Sequence, residues 1–262
     1  MTSRIALLLL AASLGSVAGA ETGQQFTSGA DRVALLELYT SEGCSSCPPA
    51  DRWLSGLKSS PGLWSDFVPV AYHVDYWDYI GWSDRYANPE YSERQRQHVQ
   101  EGAADVVYTP GVFLAGREWL DWRRRSEPAI DAATAGELKV DVDTGTIAVR
   151  YLPAPSAVEP FDVHIAVLGM GLETAVRRGE NRGRSLRHDF VVLAHESMSM
   201  TAAGPVFMAS TDLADTQAET TQLALAVWVS PADAVVPLQA TGGLLNSPGY
   251  LTDSGVRSAD QA

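Results

Sequence analysis

The two cysteines of this 262-residue chain, Cys44 and Cys47, stand close together in "LYTSEGCSSCPPADRWL", and there is no third. Thiols at that spacing can help hold a metal, close a small disulfide, or exchange electrons as a dithiol–disulfide couple. A structural zinc site wants four ligands, commonly a second cysteine pair or a closely spaced histidine pair. His73, His98, His164, His188 and His195 show no such spacing, so zinc is disfavoured. A purely structural disulfide gains little from so short a loop, because stabilisation by loop closure grows with loop length. The redox reading uses the surroundings as well. "VALLELYT" (33–40) has the length and composition of a buried strand. Pro48 and Pro49 then open a helix whose Ala50, Trp53, Leu54 and Leu57 share an apolar face. A Cys-x-x-Cys beside a strand–helix unit is a redox signature. The expectation is that Cys44, before the helix start, is the more acidic and more exposed thiol, and that Cys47 resolves the mixed disulfide.

Other residues could serve that chemistry. Thr109-Pro110 lies at a strand entrance in "VVYTPGVFL". A cis bond there would turn the chain sharply and present backbone to an extended substrate; an ordinary trans proline is the alternative. His73 and Asp75 alternate onto one face of a strand, where His73 could carry a proton or simply satisfy a core hydrogen bond. Glu42, in the turn before Cys44, is a candidate proton acceptor or a solvated loop carboxylate. Tyr76, Trp77, Tyr79 and Trp82 either line a groove or pack an insert onto the surface. "RRGENRGRSLR" (177–187) places five arginines in an acidic chain, as an anion or partner contact or a solvated hairpin tip. His195, Met198 and Met200 in "HESMSM" are soft donors that, with the cysteines, raise copper handling as a rival function. A non-catalytic binding module is a third class.

The elements that must position these groups divide the chain. Residues 1–20 carry one arginine, a leucine- and alanine-rich stretch and Ala18-Gly19-Ala20, the pattern of a cleaved secretory signal, which implies a secreted or periplasmic protein. Residues 21–31 read as a flexible lead-in, 67–77 as a strand and Pro89 to about Gly102 as a helix. A hairpin is expected around Ala115-Gly116, and a capped helix over "SEPAIDAATAGEL". After about residue 136 the pattern turns to strands, with Asp143-Thr144-Gly145 as a hairpin turn. The expected organisation is a signal peptide (1–20), an α/β domain (21–135), a β-rich domain (136–250) and a flexible tail (251–262). The net charge of −13 argues against nucleic-acid binding and disfavours an anionic membrane surface. No stretch after the leader is long and apolar enough to span a bilayer.

"ELYTSEGCSSCPPAD", "HVDYWDYIGWSDRYANPEYSERQ", "VYTPGVFLAGRE" and "RRGENRGRSLRHDFVV" resemble the secreted bacterial thioredoxin-like family catalogued as domain of unknown function 1223. The resemblance covers nearly all of the chain after residue 20. It implies a thioredoxin-like domain followed by a β-rich one, with Cys44 and Cys47 as a redox pair. It also exposes a departure. Where thioredoxins carry a buried aspartate six positions before the first cysteine, this chain has Leu38, and the adjacent Glu37 points to the other face of the strand. The resulting expectation is thiol–disulfide exchange with protein thiols or disulfides or a small thiol, needing no organic cofactor because the two thiols carry the electrons. Its direction depends on a reduction potential that the motif does not fix.

Overall fold

The computed structural model describes residues 23–130, 132–216, 220 and 222–246. The expected signal peptide and C-terminal tail lie outside them. The strands are β1 (Gln24–Thr27), β2 (Ala34–Thr40), β3 (Phe67–His73), β4 (Gly111–Leu114), β5 (Arg117–Glu118), β6 (Gly136–Asp143), β7 (Thr146–Pro153), β8 (Phe161–Met170), β9 (Leu172–Ala175), β10 (Ser185–His188), β11 (Val191–Ser199), β12 (Thr201–Ala203), β13 (Val206–Asp212), β14 (Gln222–Pro231) and β15 (Gln239–Leu244). Two α-helices interrupt them, α1 (Pro48–Gly56) and α2 (Pro89–Gln100). Asn88 caps α2 by accepting a hydrogen bond from the amide of Glu90, with Pro89 in the first turn where a missing N–H costs nothing.

The strands form an eight-stranded sheet in the order β15-β14-β8-β11-β3-β2-β4-β5, a five-stranded sheet β1-β6-β7-β13-β12, and the hairpin β9-β10. The large sheet is the main departure from the sequence reading. The α/β thioredoxin-like fold class is corrected to a β-rich architecture, with only two short α-helices among the described residues. The strands flanking the cysteines do not close a sheet of their own. β3 pairs parallel with β11 at Ala71 and Val191, joining strands from both sides of residue 136.

Strand alternation explains the junction. Along β8, Ala166, Leu168 and Met170 pack in one core with β2, β3 and α1, whereas Val163, Ile165 and Val167 pack in a second core with β6 and β7. Along β14, Ala224, Ala226 and Trp228 face the first core and Leu225, Val227 and Val229 the second. Both faces of these strands are covered, so they read as continuous apolar runs. Their burial, at roughly 25 cal/mol per Å² of apolar surface, is the principal force holding the two halves together.

Two local expectations also change. The lead-in contains β1, which pairs antiparallel with β6. The helix expected over 126–138 is not formed among its described residues. There the Arg32 amide bonds the carbonyl of Ala133 and the Ala135 amide bonds that of Ala30. A short helix is marginal in isolation, so this cross-strand pairing overrides its cap and composition. The turn at Thr144-Gly145 has positive φ at both residues (44° and 88°), as a tight hairpin connection requires.

Candidate functional site

Cys44 and Cys47 form a disulfide with their Cα atoms 5.5 Å apart. They occupy the loop between β2 and α1, with Cys47 as the N-cap of α1. Ser45 and Ser46 are exposed, and the Ser46 hydroxyl lies 3.2 Å from Cys44 Sγ. The sulfurs are not exposed: Cys44 retains 1% of its accessible surface and Cys47 none. Against the expectation that Cys44 is the more exposed thiol, both cysteines are buried, and the difference between them is negligible. The helix start also offers fewer amides than expected. Pro48 and Pro49 have no N–H, and the amides of Ala50 and Asp51 bond the Cys47 carbonyl.

Beneath the loop lies a buried set of ionisable side chains. Glu42 is fully buried, not solvated; its Oε2 accepts a hydrogen bond from Trp82 Nε1 at 2.8 Å. Its backbone amide donates to Asp84 Oδ2 at 2.8 Å, and the same oxygen accepts from His73 Nδ1 at 2.7 Å. His188 stands between two carboxylates, with Nε2 3.6 Å from Glu42 Oε1 and Nδ1 3.8 Å from Asp51 Oδ2. Both separations exceed a good hydrogen bond. Thr40 Oγ1 donates to the other Asp51 oxygen at 2.8 Å. The His73 and His188 rings meet edge to face at 4.9 Å. Glu42 Oε1, Asp51 Oδ2, His73 Nε2 and both His188 nitrogens are buried without hydrogen-bond partners.

Charge shapes this cluster. Burial disfavours the His73 imidazolium, but Asp84, with Asp51 and Glu42 behind it, outweighs that and raises its pKa above the ordinary value. Burial acts to raise the Asp84 carboxyl, but His73 and two backbone amides prevail and lower it. For Asp51, burial prevails over the favourable His188 and His73 and raises its pKa. Titratable groups shifted by burial and by specific charge partners, gathered beside the disulfide, make this cluster a candidate functional site.

The loop between β9 and β10 completes the surroundings. Asn181 Nδ2 donates to the carbonyls of Glu42 and Cys44 at 2.8 and 2.9 Å, and Glu180 accepts from the Ser45 amide at 3.0 Å. Gly43 packs against Trp77 and Ile80, and Gly179 against Trp82 and Ile80, so the aromatic insert lies between the two loops.

Of the residues singled out by sequence, Cys44, Cys47, Glu42 and His73 come together. The Thr109–Pro110 bond is cis, and Thr109 Oγ1 accepts from Trp77 Nε1 at 2.7 Å, linking that turn to the insert. Asp75 goes elsewhere: it accepts from the Ser92 hydroxyl at 2.5 Å. Glu37 belongs to another buried cluster, where its carboxylate accepts from Arg94 at 2.8 Å and from Tyr39 at 2.9 Å. Burial opposes its charge, but Arg94 and His98 hold its pKa well below the carboxylate range. The copper set does not assemble. His195 lies beside Tyr72, His164 and Trp228, while Met198 and Met200 pack in the second core. Sequence reasoning missed Asp51, Asp84, Glu180, Asn181 and His188. Asp51 was readable as one helical turn after Cys47; the others depend on tertiary contacts.

A family model described as "protein of unknown function (DUF1223)" matches residues 35–230. No curated protein matches the sequence. Among solved structures, a structural-genomics target from Agrobacterium tumefaciens is similar with a TM-score of 0.56 and 22% identity, covering 85% of this chain and 97% of that one. HBP35 of Porphyromonas gingivalis is similar with a TM-score of 0.59 and 12% identity, covering 87% and 80%. Likeness at these identities concerns the fold alone. The thioredoxin-like oxidoreductase label is corrected accordingly, to a β-rich fold of unknown function that carries a Cys44–Cys47 disulfide.

Proposed function

We propose that this chain, which belongs to the DUF1223 family of proteins of unknown function, carries out thiol–disulfide exchange through Cys44 and Cys47. The observation that carries this reading is the buried Glu42–His188–Asp51 group, whose carboxylates flank the cysteine loop in sequence and whose facing polar atoms make long ion pairs but no hydrogen bonds. Leaving such groups unpaired costs about 1–3 kcal/mol each, which is unneeded expense for a brace alone. In a dithiol the same atoms can accept the proton that Cys44 must lose to become a nucleophile.

The step balances as follows. The Cys44 thiolate attacks one sulfur of a substrate disulfide R–S–S–R, forming Cys44–S–S–R and releasing RS⁻. The Cys47 thiolate then attacks Cys44 Sγ, closing the protein disulfide and releasing a second RS⁻. The two thiol protons end on the two leaving thiolates, and two electrons pass from protein to substrate. The reverse sequence reduces the protein disulfide. Because both sulfurs are covered, exchange requires the packing around the cysteine loop to open. Export is part of the proposal, since residues 1–20 read as a secretory leader and an oxidising compartment suits a disulfide.

A second reading, the disulfide as a fixed brace, is favoured by the burial of both sulfurs. Equilibration in dithiothreitol redox buffers, with alkylation and mass spectrometry to count thiols, separates the two. Exchange predicts reversible opening while far-ultraviolet circular dichroism stays native. A disulfide that opens only when the fold is lost refutes exchange and leaves the brace.

A further inference from the structure

The arginine-rich segment 177–187 is not a free hairpin tip. Its central Glu180 and Asn181 make three hydrogen bonds to the backbone of residues 42–45, so the loop is fastened beside the disulfide. Within it, Arg184 Nη1 donates to Asn181 Oδ1 at 2.9 Å, and Arg187 Nε donates to Glu173 at 3.3 Å. Arg177, Arg178 and Arg182 are exposed, and none forms an ion pair among the described residues. The one carboxylate inside their turn, Glu180, is engaged by Ser45. Elsewhere the chain is acidic, with a net charge of −13. A local excess of unpaired guanidiniums next to the cysteine loop, in a protein that otherwise repels anions, is an electrostatic guide for one sign of substrate.

We infer that Arg177, Arg178 and Arg182 select disulfides that carry carboxylates close to the sulfur. This rests on the exchange reading above. The carboxylates would pair with the guanidiniums while the substrate sulfur approaches Cys44, so the charge acts on encounter and orientation and leaves the exchange chemistry as written.

The test uses the reduced full chain, three small disulfides and a triple variant, Arg177→Gln, Arg178→Gln and Arg182→Gln. The disulfides are dithiodiglycolate with two carboxylates, neutral bis(2-hydroxyethyl) disulfide, and cystamine with two ammonium groups. Oxidation of the Cys44–Cys47 dithiol is followed by acid quench, alkylation and mass spectrometry. Taking the variant-to-parent rate ratio for each disulfide cancels its intrinsic reactivity. At low ionic strength the ratio should fall to about one tenth for the dianion and rise above one for the dication, because steering changes association rates by tenfold or more. Added salt at roughly 0.5 M should draw the ratios together, since the Debye length is then only a few ångströms. Equal ratios for the three disulfides at low salt overturn charge selection and leave exchange standing. No oxidation by any of them overturns both.

Discussion

Replacing Asp84 by asparagine tests whether the buried His73–Asp84 pair organises the ground beneath the cysteines. Asp84 Oδ2 receives His73 Nδ1 at 2.7 Å and the Glu42 amide at 2.8 Å, and Oδ1 receives the Tyr86 amide at 3.0 Å. An asparagine has one oxygen and one NH₂. Whichever way it is turned, its NH₂ faces at least one N–H donor, and His73 loses its nearest counter-charge. Removing one member of a buried pair costs about 3–5 kcal/mol. At about 2–4 °C per kcal/mol for a chain of this size, Tm should fall by roughly 6–20 °C. The pH dependence has a definite sign. His73 has a raised folded pKa, so its contribution is complete below 6.5 and is lost as pH rises through the folded value. Asp84 has a lowered one, so its contribution is complete above 3.8 and is lost as pH falls through the folded value. In the variant, burial and the remaining Asp51 and Glu42 alone act on His73, so its imidazolium is less favoured. The difference between parent and variant should therefore be largest near pH 5.5 and shrink toward pH 9. Urea unfolding followed by circular dichroism at pH 5.5, 7 and 9 measures it. A difference below about 1 kcal/mol at pH 5.5, or one equal at all three pH values, would refute the reasoning.

Two further substitutions separate chemistry from packing. Glu42→Gln keeps an oxygen for Trp82 Nε1 but removes the base, so dithiol oxidation should slow by about 10²-fold with the fold retained, read by the same quench and alkylation; an unchanged rate dismisses Glu42 as proton acceptor. Gly242→Ala would set a methyl against the Leu225 carbonyl oxygen and 3.2 Å from the Trp64 ring, so overpacking should cost about 1–3 kcal/mol in thermal unfolding, and a variant as stable as the parent would mean that β15 shifts freely on β14.

The sequence by itself determined what depends on neighbours along the chain. A short apolar run, a cysteine pair and two prolines specify β2, the disulfide loop and α1, because periodicity, loop closure and the missing proline N–H all act within about ten residues. Asn88-Pro89 likewise marks the start of α2, and Thr144-Gly145 the β6–β7 turn. Tertiary structure decided what depends on partners far away. Glu42 read more readily as a solvated loop carboxylate; the structure buries it, with its side chain bonded to the Trp82 indole and its amide to Asp84. His188 and Asn181 reach the site from more than 130 residues away through the β9–β10 hairpin, and no local pattern marks such contacts. The fold class turned on the same cause. Strands in both halves are apolar on both faces, which is compatible with two separate sheets or with one. The parallel junction of β3 with β11 joins them, since it covers both faces of β8 and β14 with cores shared by the two halves.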